Sequence, residues 1–156
     1  MNFSDRHDID APIEAVFAKL ADLACFDAAA RARGIDLRHL SGPVQPGPGS
    51  AWVIGVPLRG RRVDVEVSVV DTVPPHQVML SGFAEGMACL AHLELTALAA
   101  GRTRMTAQVE LRPRTVGARL LVRSAVLARR RLTAGFGRIL AELARETEAL
   151  CRRSGG

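Results

Sequence analysis

The sequence predicts an α+β fold in which a curved antiparallel sheet of six to seven strands wraps around a long C-terminal helix. Five consecutive segments between residues 51 and 111 alternate apolar with polar side chains, which is typical of strands buried on one face. After Pro113 there is no further proline, and apolar residues recur at helical spacing almost to the C-terminus. A sheet with one apolar face must be covered, and this helix is the longest element available to cover it.

The N-terminal part is predicted to contain one strand and then the first of two short helices. Residues 3–9 form the candidate strand. Asp10 and Pro12 then indicate a helix start, because the carboxylate can accept hydrogen bonds from unpaired backbone N–H groups and proline loses no bond there. The apolar face of this helix consists of Ile13, Val16, Phe17 and Leu20.

A second short helix, a second strand and a loop are expected next. Asp22 is placed to cap the helix, which should end at Gly34. Its inward face consists of Leu23, Phe26 and Ala30. Residues 35–40 form the candidate strand. Residues 42–50 (GPVQPGPGS) are predicted to be a loop but not a phosphate loop, because the GK[ST] ending is missing and the prolines remove backbone donors.

The rest of the sheet is predicted as a meander. Its five strands lie at residues 51–58, 62–73, 77–83, 87–97 and 103–111. The connections are short, including a hairpin-sized turn at residues 59–61, so neighbouring strands should pair antiparallel. A meander of this length must twist and coil, which gives the sheet a concave side for the helix.

The C-terminal helix should present one apolar stripe to that concave side. The stripe consists of Leu132, Phe136, Ile139, Leu143 and Leu150, with Leu121, Ala125 and Ala128 upstream. A straight helix over residues 114–151 would be ~57 Å long, against a diameter of ~40 Å for a domain of this size. We therefore expect a break near residues 121–124 or at Gly135 and Gly137. Close packing of the helix on the sheet is the competing explanation for these glycines.

The composition fits one globular domain spanning residues 1–156, with 48% hydrophobic residues. Cys25, Cys89 and Cys151 are far apart and form no CxxC pair, which argues against a disulfide framework or a zinc site and favours a reducing cytoplasm. The first ten residues contain no apolar run of the kind found in signal peptides, and no segment approaches the ~20 apolar residues of a membrane span.

Arginine is concentrated in one segment. The net charge is +5, and residues 112–131 carry seven arginines and no acidic residue. Such a segment can bind phosphate, an anionic membrane or an acidic partner, although the solvated side of an amphipathic helix is the simpler interpretation. The arginines of the candidate anionic-surface site are Arg119, Arg123, Arg129, Arg130 and Arg131. No specific nucleic acid is expected, because aromatic residues that stack on bases make up only 4%.

Two pairs of polar residues on predicted strands are candidates for chemistry. His7 lies two positions from Asp5, so the two could act as an acid/base pair at the mouth of a cavity. His92 and Glu94 share a strand face, but no third ligand is apparent, so neither a metal site nor a cofactor is predicted. Cys89 lies on an apolar face without a neighbouring base, which indicates a core residue. No catalytic residue is predicted, and no pattern indicates an oligomeric state.

Three motifs resemble those of a known superfamily. Residues 9–17 (IDAPIEAVF) are similar to the I-x-A-P-x-E-x-V-F opening of the START-like superfamily, in the SRPBCC branch that includes polyketide cyclases and dehydrases. Residues 49–52 begin the third strand as in that superfamily, and residues 111–115 (LRPRT) followed by 118–121 (ARLL) resemble small bacterial members. The resemblance implies a helix-grip fold with a cavity for lipids, polyketides, quinones or hormones, and it carries no universal catalytic residues.

The favoured hypothesis is non-catalytic binding of a small hydrophobic ligand between the sheet and the C-terminal helix. The expected lining residues are Trp52, Ile54, Val65, Val67, Leu80, Leu93, Met105, Phe136, Ile139 and Leu143. One alternative is an enzyme of the cyclase or dehydratase type in which Asp5 and His7 reach into the same cavity. The other is an interaction protein that uses the arginine-rich residues 112–131.

Overall fold

The computed structural model describes residues 1–42, 48–58 and 60–155, and it contains an antiparallel sheet of seven strands with helices packed on one face. The strands are β1 (Asn2–Ile9), β2 (Asp36–Ser41), β3 (Ala51–Leu58), β4 (Arg61–Val73), β5 (Gln77–Ala84), β6 (Met87–Ala99) and β7 (Arg102–Pro113). Of the predicted loop, residues 43–47 lie outside the described residues. Arg59, in the predicted β3–β4 turn, lies outside them as well.

The predicted meander is confirmed, and β1 pairs with the last strand rather than with the second. The sheet order is β1-β7-β6-β5-β4-β3-β2. The period-two alternation of side chains sets the register, so that Ile54 of β3 lies opposite Val65 of β4 and His7 of β1 lies opposite Met105 of β7. All of these residues belong to the face that the helices cover.

Two short helices follow β1, as predicted. They are α1 (Ile13–Leu20) and α2 (Asp27–Ala32), separated by a 3-10 turn (Leu23–Phe26). The predicted caps are wrong, because neither Asp10 nor Asp22 forms a side-chain capping bond. Instead the backbone N–H of Asp10 donates to Oε1 of Glu148 at 2.7 Å, which ties the start of α1 to the last helix. The predicted end at Gly34 is confirmed by its φ of +72°, in the left-handed region that favours glycine.

The C-terminal segment is helical over residues 116–155 but is interrupted once. It consists of α3 (Val116–Ala125), a 3-10 turn (Val126–Ala128) and α4 (Arg129–Gly155). Thr115 caps α3, since its Oγ1 accepts a hydrogen bond from the N–H of Ala118 at 3.1 Å. The interruption at 126–128 lies just beyond the first predicted break at 121–124. The uninterrupted part, α4, has 27 residues and is therefore ~40 Å long, which matches the size of the domain.

Gly135 and Gly137 lie inside α4 and do not break it, so the second predicted break position is wrong. The explanation for Gly137 is close packing. A Cβ atom at this position would lie 3.0 Å from Oδ2 of Asp5, so the glycine lets α4 approach β1 closely. At Gly135 the nearest atom to a Cβ would be Nη2 of Arg138 at 3.8 Å, which leaves room for a side chain.

The inward face of the C-terminal helices is rotated from the predicted stripe. Leu121, Leu132 and Ile139 were expected inside, but they are 63%, 39% and 69% exposed. The side chains that α4 buries are Leu140, Ala144, Thr147 and Cys151. Phe136 and Leu143 pack against this core from its edge. Most of the buried α4 side chains are small, so the helix lies close to α1 and β1, and a pattern of large apolar residues does not reveal that face.

The core lies between the inward face of the sheet and helices α1 and α4. Its largest fully buried apolar side chains are Ile9, Val16, Val69, Val78, Leu95 and Met105. Val69, Val78, Leu95 and Met105 fall on the strand faces predicted by alternation. Within the described part of the chain, no helix combines the length and the apolar composition needed to cross a membrane.

Candidate ligand-binding cleft

A cleft of about 330 Å³ opens between the sheet, the α1–α2 region and α4. Its lining is apolar except at the rim. The lining residues are Leu20, Leu23, Phe26, Ala29, Ala30, Arg33, Ile35, Leu37, Ile54, Leu80, Leu93, Ile139, Glu142, Leu143 and Glu146. Cavities of roughly 300–1,000 Å³ are the size that proteins use for small organic ligands.

Three parts of the fold form the walls of the cleft. The floor is the inward face of the sheet, where Leu37 and Ile54 are cross-strand partners on β2 and β3. Helices α1 and α2 and the 3-10 turn between them form one wall, to which Leu23 and Phe26 contribute. The opposite wall is α4, through Ile139 and Leu143. The cleft remains because the small alanines of α2 do not fill the space between α2 and α4.

A cluster of three charged side chains joins α2 to α4 across the rim. Nε of Arg33 lies 3.3 Å from Oε2 of Glu142, and Nη2 of Arg33 lies 3.1 Å from Oε1 of Glu146. Nη1 of Arg33 also donates to the carbonyl oxygen of Ala29 at 3.1 Å. Partly exposed ion pairs of this kind contribute only ~0–1 kcal/mol each, so the contact can open at little cost.

Solved structures of similar architecture identify this fold. An aromatase/cyclase, Zhui, from Streptomyces sp. R1128 aligns over 100% of this chain and 98% of its own with a TM-score of 0.70 and 17% identity. The chain has the START-like helix-grip fold. A START superfamily protein from Mycobacterium smegmatis aligns over 97% of both chains with a TM-score of 0.65 and 14% identity.

A protein from Thermus thermophilus aligns over 96% of this chain and 98% of its own, with a TM-score of 0.66 and 14% identity. No protein-family model matches the sequence, and no curated protein matches it. At these identities the likeness establishes the fold and transfers no residue roles.

Half of the lining residues expected from the sequence border the cleft of this START-like fold. They are Ile54, Leu80, Leu93, Ile139 and Leu143. The other five lie elsewhere. Trp52 is buried on β3 with its ring edge-on to His39 at a centroid distance of 5.0 Å, and Met105 is fully buried in the core. Phe136 contacts Phe3, while Val65 and Val67 are half-buried on β4 and do not border the cleft.

The wall formed by α1, α2 and the turn between them was missing from the expected lining. Its signal was nevertheless present in the sequence, because Leu23, Phe26 and Ala30 were expected to face inward and all three border the cleft. Their helices are short, so the pattern indicated which side is apolar but not which element that side faces.

The Asp5–His7 pair lies under α4 and does not border the cleft. Nε2 of His7 is 3.5 Å from Oδ2 of Asp5, and this nitrogen is buried without a hydrogen-bond partner among the described residues. Both residues alternate inward on β1, at the sheet edge opposite β2. This pair therefore lies apart from the space between α2 and α4.

Cys25, in the 3-10 turn between Leu23 and Phe26, is held in its neutral form. Burial, and then the Asp22 carboxylate, raise the pKa of Cys25 to about 11. Its Sγ donates to the carbonyl oxygen of Asp22 at 2.9 Å. Burial also raises the pKa of Cys89 and of Cys151. A protonated thiol is a poor nucleophile and a poor metal ligand.

In the candidate metal pair on β6, His92 contacts a residue of the neighbouring strand. Nε2 of His92 lies 3.4 Å from Oε1 of Gln77, on the neighbouring strand β5. Among the residues that the structure describes, no group of three or more His, Cys, Asp or Glu side chains is arranged to hold a metal ion.

Proposed function

We propose that this protein binds a small hydrophobic ligand in the cleft between the sheet and α4, without transforming it chemically. The observation that supports this proposal is the lining, in which twelve of fifteen residues are Leu, Ile, Phe or Ala. Each 100 Å² of apolar ligand surface buried there would contribute ~2.5 kcal/mol before the costs of association. A lipid, polyketide or quinone-like molecule has enough apolar surface to bind in this way.

The charged rim favours a neutral ligand. Arg33 faces two carboxylates, those of Glu142 and Glu146, so the group has a formal charge of −1. An anionic ligand would have to displace both carboxylates from the guanidinium. A neutral molecule with one polar end can place its apolar part against Leu80 and Leu93 while its polar end stays at the rim.

Binding without turnover is supported by the polar groups that border the cleft. Glu142 and Glu146 are the acidic side chains among its described lining residues, and both are paired with Arg33. The alternative is a cyclase- or dehydratase-type enzyme acting in the same cleft. It is suggested by the name of the Streptomyces neighbour, and it would need an acid or base that is free to exchange a proton with the ligand.

The test compares two exposed positions on α4. Ile139→Arg introduces a charge at the cleft wall, whereas Leu132→Arg makes the same change on the same helix away from the cleft lining. In a fluorescence titration with N-phenyl-1-naphthylamine, we expect Ile139→Arg to weaken binding about tenfold or more, because a charge in an apolar site must stay hydrated. Leu132→Arg should bind as the unaltered protein does. Equal affinities for both variants would contradict the proposal.

Native mass spectrometry tests whether the bound molecule is chemically transformed. Protein purified from cells should carry a bound molecule, and that molecule should be recovered with unchanged mass after incubation with fresh protein. Recovery of a product of altered mass would favour the enzyme instead.

A further inference from the structure

The segment from α3 to the first turn of α4 has an exposed surface that is both apolar and basic. We call it the arginine–leucine surface. It comprises Val116, Arg119, Leu120, Leu121, Arg123, Val126, Leu127, Arg129, Arg130 and Arg131. Leu127 is 94% exposed and Val116 is 70% exposed. The surface is separate from the cleft, so nothing in the following argument depends on the cleft holding a ligand.

Helix α3 turns its large apolar side chains toward solvent, whereas a helix that covers a sheet would turn them toward the sheet. Of its ten residues, Ala118 alone is buried, whereas Leu120 and Leu121 face solvent. The sequence interpretation of the arginines as the solvated side of an amphipathic helix placed Leu121 on the inward face, but Leu121 is 63% exposed. The exposure of these leucines in one contiguous segment indicates an interaction surface.

The charge of this surface is largely uncompensated. Nη2 of Arg129 donates to the carbonyl oxygen of Asn2 at 3.4 Å. The side chains of Arg119, Arg123, Arg130 and Arg131 form no ion pair with the described residues. The acids that flank the segment in sequence are already paired, Glu110 with Arg112 at 2.9 Å and Glu142 with Arg33 at 3.3 Å. The partner must therefore supply negative charge and must also accept the leucines.

Three classes of partner differ in how they meet these two requirements. A second copy of this surface, packed about a twofold axis, would bring arginines against arginines. A nucleic acid would neutralise the arginines but would leave the leucines against a charged backbone. An anionic bilayer meets both requirements, because apolar side chains enter the boundary between headgroups and acyl chains while arginines bind lipid phosphates. We propose that the arginine–leucine surface docks this protein onto membranes rich in anionic phospholipid.

Docking would bring the membrane near the cleft wall. Arg131 and Ile139 lie on the same helix, eight residues apart, which corresponds to ~12 Å along α4. The helix that contacts the bilayer at its N-terminal turn is thus the helix that forms one wall of the cleft.

The test measures co-sedimentation with two kinds of vesicle, phosphatidylcholine alone and an equal mixture of phosphatidylcholine and phosphatidylglycerol. We expect binding to the mixed vesicles only, and weaker binding at high salt. The triple variant Arg129→Gln, Arg130→Gln, Arg131→Gln should bind roughly 100-fold more weakly, since each arginine near an anionic surface contributes about fivefold. The matched control is Arg138→Gln, Arg145→Gln, Arg153→Gln, which removes the same charge from positions further along α4 and should bind as the unaltered protein does.

The double variant Leu120→Ser, Leu127→Ser tests the apolar part. It keeps every charge and alters exposed positions, so it should fold normally and bind the mixed vesicles at least tenfold more weakly. The proposal is overturned if the unaltered protein does not bind the mixed vesicles, if both triple variants lose affinity equally, or if the leucine variant binds fully. It is also overturned if sedimentation equilibrium shows a dimer that Leu127→Ser dissociates, or if duplex DNA binds as tightly as the vesicles and shows the same dependence on the variants.

Discussion

Phe136 is the one aromatic side chain on α4, and it fastens this helix to the edge strand of the sheet. Its ring centroid lies 5.9 Å from that of Phe3 on β1, and it packs against the core without being fully buried. Ile139, one turn further along, points away from the core and is mostly exposed. Two apolar residues on one helix therefore have different energetic roles.

We expect Phe136→Ala to lower the free energy of unfolding by about 2–3 kcal/mol, somewhat below the value for a fully buried phenylalanine, because part of the ring already contacts water. Ile139→Ala, the matched truncation, should cost less than ~1 kcal/mol. Urea denaturation monitored by circular dichroism measures both changes. Equal losses would show that the inward face of α4 has been assigned to the wrong side.

Strands and helices differ in how well the sequence predicts whether a given residue faces the core. A strand residue has two choices of face, so alternation correctly predicted that Trp52, Leu93 and Met105 lie inside. A helical residue can point in any direction, and one position corresponds to about 100° of rotation. Ile139 and Leu140 are equally hydrophobic neighbours, and the small residues that follow Leu140 on the buried side carry little pattern signal.

The C-terminal helices show how the length of an element is reconciled with the size of the domain. The need for an interruption could be predicted from length alone. Its position could not, because it depends on where α3 leaves β7 and α4 meets β1, which is a matter of tertiary contact. Gly135 and Gly137 were expected to mark a break, but neither interrupts α4. Of the two, only Gly137 lies against a neighbouring strand, β1.

This difference between the two glycines can be measured. Gly135→Ala should raise the free energy of unfolding by ~1 kcal/mol, since alanine favours the helix and the added Cβ meets nothing closer than 3.8 Å. Gly137→Ala should gain clearly less, because its Cβ would lie 3.0 Å from Oδ2 of Asp5 and the carboxylate must move. Chemical denaturation of the two variants side by side provides the comparison, and an equal gain at both positions would rule out close packing as the reason for Gly137.

At the scale of the whole molecule, the order of elements predicted the architecture, whereas the cleft depended on how the elements are placed. The alternating strands and the terminal helix leave few ways to cover one face of the sheet. The wall of the cleft formed by Leu23 and Phe26 depends on where two short helices sit relative to α4. The repeat of apolar residues within a helix does not reveal where that helix lies relative to α4. For this reason, only the sheet and α4 residues of the cleft lining were expected.

The composition of the whole chain makes its alkaline stability unusually simple to interpret. It contains no tyrosine and one lysine, Lys19, so the three cysteines are prominent among the groups that titrate above pH 8. In the folded protein burial raises the pKa of all three, that of Cys25 from 9.0 to about 11. Well below pH 9, in the range of pH 7 to 8, the folded and unfolded thiols are both mostly protonated, and their contribution to stability is present.

Between pH 9 and about 11 the unfolded chain releases thiol protons that the folded chain retains, so the stability contributed by these thiols must fall as the pH rises. We expect the thermal midpoint of unfolding to show little thiol contribution to its pH dependence from pH 7 to 8 and to fall between pH 9 and 11. Cys25→Ser removes the largest of these titrations, so its midpoint should fall less steeply over the same range. Parallel curves for the two proteins would mean that Cys25 titrates normally and is not shielded by the fold.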